Sequence, residues 1–491
     1  MSKLNKDIIY LIFKELQYDK KTLQSCLSVN KIWCEIIIPI LWKDPWKYLG
    51  KGNDKLLLNV IFSHLSKESR DYLSRRLNFF TNSYQKPLFD YISFCKHLNF
   101  IEIKKLINNT INEKSEIPNI EKEILYLFIN KKNTSFTHLY IPHKFNYQIN
   151  LIPGAERCFS DIDYLSCNVT VNDEVLTGLT KICKSIKELD LFIEVHSNNY
   201  EIVKLIKTPK KLLNIRLMTD YYSEIDESFY KVLENSLILH SNHVQYFKIT
   251  KQPITEILSS FVNLKKLELD DNFRHMTWKC LENLSLPYLQ ILKAKRVPIN
   301  VLSSLIENTS GTLTEITIDY VSHDGINNKR IIQAIYKNCP KLKYLKLVIR
   351  CCNISELEKL LINCKCLEGL YILVDNMPDG YGSEFSDSVI DWNFLFEILA
   401  NSSPIGLFKF KLYYKVAPKL EFVKSFFDKW KGRHPMLLQT IPIPFIGNQD
   451  TCKYYFDLIE KYKAEGIIKK YDHDVYEYTF EDFEWIQKRF N

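Results

Sequence analysis

The chain has 491 residues, 46% of them apolar and 25% charged, with a formal charge of +8. That length exceeds what one hydrophobic core serves, and the composition is that of a folded chain, which speaks against long disorder. The mild positive balance does not by itself call for nucleic acid, and 13 Gly with 17 Pro speak against collagen and Gly-rich linkers.

The opening residues, Met1-Ser2-Lys3-Leu4-Asn5-Lys6-Asp7, are charged at once and do not read as a signal peptide. Apolar runs such as Ile36 to Leu41 are too short to cross a bilayer. The 13 cysteines are scattered without a framework, so free thiols in a reducing cytoplasm or nucleus are expected.

Asn5 can cap a first helix, with Asp7 in its first turn and Ile8, Ile9, Ile12, Phe13 and Leu16 at helical spacing. Gln17 to Lys21 reads as a polar connection. Thr22 can cap a second helix carrying Leu23, Cys26, Leu27 and Val29. A third segment carries Ile32, Trp33, Ile36 and Ile37, and Pro39 is expected to stop it before Ile40, Leu41 and Trp42. Three short helices make too small a core to stand alone, and these carry more large apolar residues than such a bundle hides. Each surplus side chain buried is worth roughly 1.5–3 kcal/mol. A partner surface or the next domain is therefore expected to cover one face.

The series Leu4-Asn5-x-Asp7-Ile8-Ile9-x-x-Ile12-Phe13-x-x-Leu16, then Leu23, Leu27-Ser28-Val29-Asn30-Lys31-x-Trp33, then Ile40-Leu41-Trp42, resembles an F-box. That family usually has Leu-Pro-x-Glu-Ile-Leu at its start and Val-Cys-Arg-x-Trp later. Here Asn5, Asp7 and Asn30-Lys31 stand at the departing positions, and the lost proline removes some preorganisation of the entry turn. The resemblance covers residues 3–46. It implies a non-catalytic segment that packs on a Skp-type adaptor and through it joins a cullin. The contact residues it implies are Leu4, Ile8, Ile9, Ile12, Phe13, Leu16, Leu27, Val29, Trp33, Leu41 and Trp42.

Residues 47–95 read as a helical linker, with Leu56-Leu57-Leu58-x-x-Ile61-Phe62-x-x-Leu65 and a basic amphipathic stretch from Tyr72 to Phe80 containing Arg75 and Arg76. From there a pattern apolar-x-x-apolar-x-apolar recurs. It begins at Leu98/Ile101/Ile103, Phe136/Leu139/Ile141 and Ile162/Leu165/Cys167, and continues through Leu342/Leu345/Leu347, Leu367/Leu370/Ile372 and Leu407/Phe410/Leu412 to Leu438/Ile441/Ile443. One strand and one return helix per unit bury nothing alone, so neighbours must stack. This is the logic of a leucine-rich repeat. Cys95, Cys183, Cys339 and Cys364 each sit three residues before a repeat's first apolar position. That placement is similar to the cysteine-containing repeats common in F-box proteins. It reads as a small buried residue at a helix end rather than a metal ligand.

The expected fold is therefore α/β. A three-helix F-box spans 1–46 and a linker 47–95. A leucine-rich-repeat solenoid spans 96–445, with parallel strands on its concave face and helices on its convex face. A C-terminal cap spans 446–491, acidic and aromatic through Tyr476, Tyr478, Phe480, Phe483 and Trp485.

Catalytic and metal motifs are weak. Cys351-Cys352 with Cys364-x-Cys366 lacks knuckle spacing. The stretch Asp375 to Ser386 fails as a calcium loop at Met377 and Ser386. No P-loop or nucleophile elbow occurs. No cofactor and no enzyme activity is expected. The strand positions that alternate with the core hold a mixed set. Tyr246, Lys248, Lys293, Lys295, Tyr344, Lys346, Tyr371, Lys409, Lys411 and Tyr413 are interrupted by Glu188, Asp190, Glu268, Asp270, Glu315 and Asp319. That mixture suits a protein target better than a phosphate backbone. The acidic, glycine-containing excursion from Asp375 to Asp391 is a second expected contact. The resulting expectation is a cytoplasmic or nuclear substrate receptor of a Skp-cullin-F-box ubiquitin ligase. A repeat scaffold acting outside ubiquitin ligation and a nucleic-acid-binding repeat protein stay open as alternatives.

Overall fold

The computed structural model describes residues 5–48, 52–74, 87–129, 134–194, 198–220, 226–272, 276–319, 324–375, 390–414, 417–442 and 449–473. Leu4, the stretch from Arg75 to Phe80, most of the 375–391 excursion, Ile443 and the segment 474–491 lie outside them. The chain divides into two compact units, 1–240 and 241–491.

The first unit opens with α1 (Lys6–Glu15), α2 (Lys20–Cys26) and α3 (Lys31–Trp42). Asn5 caps α1 by accepting from the Asp7 N–H. Asp19, not Thr22, caps α2: its carboxylate accepts from the Thr22 N–H at 3.1 Å and from the Thr22 hydroxyl at 2.7 Å. Asn30 caps α3 through the Trp33 N–H at 2.9 Å. Pro39 does not end α3, which runs on to Trp42. A proline removes the bond to the carbonyl four residues back. Here packing retains the last turn: Ile40 and Leu41 lie against the head's core and the Trp42 ring meets Tyr91.

Helices α4 (Asp54–Ser63), α5 (Lys67–Ser74) and α6 (Tyr91–Phe94) lead to β1 (His97–Asn99), β2 (His138–Ile141), β3 (Tyr164–Asn168), β4 (Glu188–Ile193) and β5 (Asn214–Thr219). The strands are parallel and paired in chain order, with Leu98, Leu139, Leu165, Leu189 and Ile215 in register. All five are buried. Between them run α7 (Phe100–Thr110), α8 (Ile117–Ile129), α9 (Ala155–Phe159), α10 (Asp173–Ile182) and α11 (Glu201–Lys207), and α12 (Glu227–Ile238) follows. In the first repeat the strand stops at Asn99, whose side chain caps α7, so Ile101 and Ile103 belong to a helix rather than to the strand.

The second unit repeats the arrangement. Its strands are β6 (Tyr246–Ile249), β7 (Lys266–Asp270), β8 (Ile291–Lys295), β9 (Glu315–Asp319), β10 (Tyr344–Arg350), β11 (Gly369–Asp375), β12 (Lys409–Tyr414), β13 (Met436–Pro442) and β14 (Ile468–His473), again parallel and in chain order. Its helices are α13 (Ile257–Ser260), α14 (Ile299–Glu307), α15 (Gly325–Asn338), α16 (Ile354–Asn363), α17 (Trp392–Ser402), α18 (Leu420–Lys429) and α19 (Gln449–Ala464). Both units are therefore α/β repeat ladders.

Two expectations change here. Leu438 pairs with Phe410 and Thr440 with Leu412, so the core phase of β13 runs through 438 and 440. Ile441 faces the other way and joins Val348, Tyr371, Leu373 and Leu437 in a cluster on the opposite face. The segment expected as a cap also contributes a full helix and strand, α19 and β14, and β14 pairs with β13. The second strand of that pair reads Lys469, Lys470, Tyr471, Asp472, which carries too little apolar periodicity to betray it.

The repeat cysteines sit at helix ends. Cys183, Cys339 and Cys364 are the C-caps of α10, α15 and α16, each donating its N–H four residues back. Cys95 ends α6 in the same way, three residues back. All four are fully buried. Burial pushes the thiols of Cys183, Cys339 and Cys364 up to about 12, so they stay protonated and inert at neutral pH.

Candidate functional site

The head's own core is small. Phe13, Leu23 and Ile37 are buried, and Ile9, Leu16, Cys26, Leu27, Trp33, Ile36, Ile40 and Leu41 pack on them half-buried. The Phe13 ring meets Trp33 edge to face at 5.1 Å. What remains outside is also apolar: Ile8 is 49% exposed and Ile12 48%, and Leu11, Val29 and Ile32 are exposed too. Ile8, Leu11 and Ile12 fall at i, i+3 and i+4, which places them on one side of α1.

The expected contact residues thus separate. Ile8, Ile12 and Val29 are open to a partner. Ile9, Leu16, Leu27, Trp33 and Leu41 offer only an edge. The Trp42 ring lies tilted against Tyr91 with ring centres 4.6 Å apart. Phe13 is corrected from a contact to a core residue, because at 2% exposure it has no surface to give. Leu11 and Ile32 were absent from that set, although Leu11 lies three residues after Ile8, the spacing that marks a shared face.

The head is fixed to the first repeat. The Lys43 carbonyl accepts from the N–H groups of Lys96 and His97, at 2.9 and 3.2 Å, in the way one strand meets the next. The buried Trp46 ring donates to the His97 carbonyl at 2.6 Å. Residues 43–46 therefore dock as an extra edge element, and the head is held by hydrogen bonds rather than by a free tether.

The open face of the first unit's strands carries an aromatic and ionic row that periodicity does not disclose. His97 stacks on His138 at 3.8 Å, and Tyr164 lies beside both His138 and Tyr140. Tyr164 Oη donates to Asp190 at 2.6 Å, and Arg216 Nε donates to the same carboxylate at 2.6 Å. Burial, aided by the stacked His138 ring and by Lys43 and Lys47, lowers His97 to about 3, although Asp44 lies 3.3 Å from Nδ1. Burial lowers His138 as well.

These rings are neutral in the fold and protonate in the unfolded chain below its ordinary 6.5. The unfolded state then binds more protons, so stability falls as pH drops from about 6.5 toward 3. Between pH 6.5 and 5, His97 alone removes about 2 kcal/mol. Urea unfolding of the first unit is expected at a lower midpoint at pH 5 than at pH 7. His97→Gln should remove most of that difference, and an equal pH response in the variant would contradict the assignment.

In the second unit, the expected target face divides along the sheet. At β6–β9 the side chains are half-buried and mutually neutralised. Lys266 and Lys248 flank Glu268 at 2.8 and 3.8 Å, Lys293 meets Glu315 at 3.1 Å and Lys295 meets Asp270 at 3.7 Å. Burial opposes ionisation of Glu268, but the Lys266, Lys248 and Lys293 ammoniums outweigh it and hold the carboxyl below its usual range. Tyr246 lies under Lys266. A face so neutralised is not the continuous basic stripe that a phosphate backbone requires.

At β10–β13 the expectation of exposure fails. Lys346 and Tyr371 are fully buried, Lys409 and Lys411 nearly so, while Tyr344 and Tyr413 are half-buried. The Tyr371 ring lies between the Lys346 and Lys411 ammoniums, 4.7 and 4.9 Å away. Lys346 is ion-paired with Asp319. Lys409 donates to Tyr344 Oη at 3.0 Å. Strand alternation correctly put these residues on the face away from the helices. It could not show that this part of the face is covered.

Among the described residues, no group of three or more His, Cys, Asp or Glu is arranged to hold a metal ion. Cys352 and Cys366 are exposed while Cys364 is buried, so the cysteine-rich stretch does not converge. No described helix is long and apolar enough to cross a membrane.

No family model matches the chain, and no curated protein matches it. Among solved structures it is similar to the crystal structure of the Rad7 and Elc1 complex in yeast. The likeness is 13% in identity, covers 84% of this chain and 87% of that chain, and has a TM-score of 0.35.

Proposed function

We propose that this chain is the substrate receptor of a Skp-cullin-F-box ubiquitin ligase, with α1–α3 as an F-box and the repeats as the target-holding part. The observation that carries this reading is the surplus of apolar side chains on the head. Three fully buried residues form its centre, while Ile8, Leu11, Ile12, Val29 and Ile32 are left to water. Ile8, Leu11 and Ile12 lie along one side of α1, and exposed apolar groups gathered in this way mark a surface made to be covered. The motif in residues 3–46 supplies the kind of partner, a Skp-type adaptor that bridges to a cullin.

The chain itself performs no bond chemistry in this reading. A recruited conjugating enzyme carries the activated ubiquitin, and the receptor raises the effective concentration of a target lysine near it. Anchoring of the head through Lys43 and Trp46 supports such a role, because a held distance is what proximity requires. The mixed Lys, Tyr and Glu strand face supports a protein target. The reading places the protein in the cytoplasm or nucleus.

The test is affinity capture of the full chain and of a chain lacking residues 1–48, read by mass spectrometry. A Skp-type adaptor and a cullin recovered with the first and lost with the second support the proposal. A folded full chain that captures neither would leave a repeat scaffold outside ubiquitin ligation.

A further inference from the structure

The rim of the first unit from which β4 and β5 start carries an unbalanced charge. The chain leaves α10 through Lys181-Ile182-Cys183-Lys184-Ser185-Ile186-Lys187 and leaves α11 through Lys207-Thr208-Pro209-Lys210-Lys211-Leu212-Leu213. Strands β4 and β5 pair with Glu188 opposite Asn214, and the Lys187 carbonyl accepts from the N–H groups of Leu213 and Asn214. Lys181 and Lys207 therefore occupy matching positions of adjacent repeats, as do Lys184 and Lys210, with Lys211 next to them. Neighbouring strands lie about 5 Å apart and packed helices about 8–10 Å. Five ammoniums share one small area, and all five side chains are exposed.

Lysines around this area are paired, and these five are not. Lys187 meets Asp163 at 2.8 Å and Lys204 meets Glu201 at 2.6 Å. Among the described residues, no carboxylate lies within ion-pair distance of Lys181, Lys184, Lys207, Lys210 or Lys211. A cation in the last turn of a helix is favourable, which accounts for Lys181 and Lys207. Lys184, Lys210 and Lys211 lie past the helix ends, where that account stops. Like charges gathered in this way repel, and an anionic partner relieves the repulsion.

The surroundings select among anions. Neither stretch contains an arginine or an aromatic residue. Arginine forks clamp phosphates and aromatic rings stack on bases, so a nucleic acid finds neither aid here. The apolar residues of both stretches turn inward: Cys183, Ile186, Pro209 and Leu212 are buried, and Ile182 and Leu213 are half-buried. A bilayer therefore meets no apolar group to take in below its headgroups. Toward β3 the basic area ends at Asp163, whose carbonyl accepts from the Lys187 N–H, so it is a compact patch rather than a stripe. A short run of carboxylates on a polypeptide fits such a patch by charge and size.

We propose that this rim, Lys181, Lys184, Lys207, Lys210 and Lys211, docks an acidic segment of a protein partner. The site is separate from the head and from the open strand face, so it stands whether or not the head binds an adaptor. Exposed charges of this kind act mainly on the rate of encounter and are screened by salt.

The test uses the full chain and three probes at low salt. Fluorescence anisotropy reads a labelled octaglutamate peptide and a single-stranded oligonucleotide of the same charge, and flotation reads phosphatidylserine vesicles. Two variants lose equal charge: Lys184→Gln, Lys210→Gln, Lys211→Gln at the rim, and Lys337→Gln, Lys341→Gln, Lys365→Gln at exposed sites of the second unit. The wild type is expected to bind the peptide, the rim variant to bind it about tenfold more weakly, and the control variant to stay within about twofold of the wild type. Binding that falls equally in both variants reports net charge alone and overturns the proposal. A wild type that ignores the peptide, or that prefers the oligonucleotide or the vesicles to it, overturns it as well.

Discussion

Replacing Ile8 and Ile12 together with Asp is expected to abolish capture of a Skp-type adaptor and to leave the unfolding transition of the chain in place. Both side chains are half exposed, so neither supports the head's core. Covering what remains of each is worth about 1 kcal/mol. A carboxylate forced into the same apolar contact costs several kcal/mol more unless it finds a partner. The sum exceeds about 4 kcal/mol, or roughly a thousandfold in affinity. Isothermal titration or pull-down measures the first part and circular dichroism the second. Retained binding in the folded double variant would remove this face of α1 from the interaction.

Phe13→Ala should behave in the opposite way. Phe13 is 2% exposed, meets Trp33 edge to face and sits with Leu23 and Ile37 at the centre of the head. Truncating a buried phenylalanine costs about 3–5 kcal/mol. A head of three short helices has little stability to spare, so this substitution should unfold α1–α3 while the repeats keep their transition. Hydrogen exchange of residues 6–42 reads it directly: those amides should lose protection and the strands of β3–β5 should not. Adaptor capture would fall too, but only because the surface is no longer assembled. The contrast between the two variants separates a residue that touches a partner from one that holds the touching residues in place. Protection retained in Phe13→Ala would show that the head's order comes from its anchor at Lys43 and Trp46.

Much of the α/β repeat was legible because its signal is local and recurs. Leucine, isoleucine and phenylalanine return at one phase, and the small thiols of Cys183, Cys339 and Cys364 return three residues ahead of them. A strand and helix that must stack on neighbours leave that pattern in every copy. The signal fails where a copy deviates. Thr440 occupies a core position of β13 and Ile441 an outward one, so apolar character alone misplaces that strand by three residues. In β14 the same character is nearly gone.

The head shows the same limit in another form. Helical spacing placed Ile8, Ile12 and Phe13 on helix α1, but two turns of amphipathic helix offer several apolar positions and only packing decides which are used. Trp33, twenty residues on, closes over Phe13 and leaves Ile8 and Ile12 open.

What the amino-acid sequence by itself determined is a set of decisions made within a few residues: the α1 helix and its Asn5 cap, and, in the repeats that keep the apolar phase, which strand positions alternate toward the core. What the tertiary structure decided is everything that depends on a distant neighbour. It stacks His97 on His138 across 41 residues of chain and holds both rings neutral. It buries Lys346, Tyr371, Lys409 and Lys411 on a face that alternation alone marks as open. The reason is physical: a side chain's direction follows from its own backbone, whereas its exposure depends on what the rest of the chain lays over it.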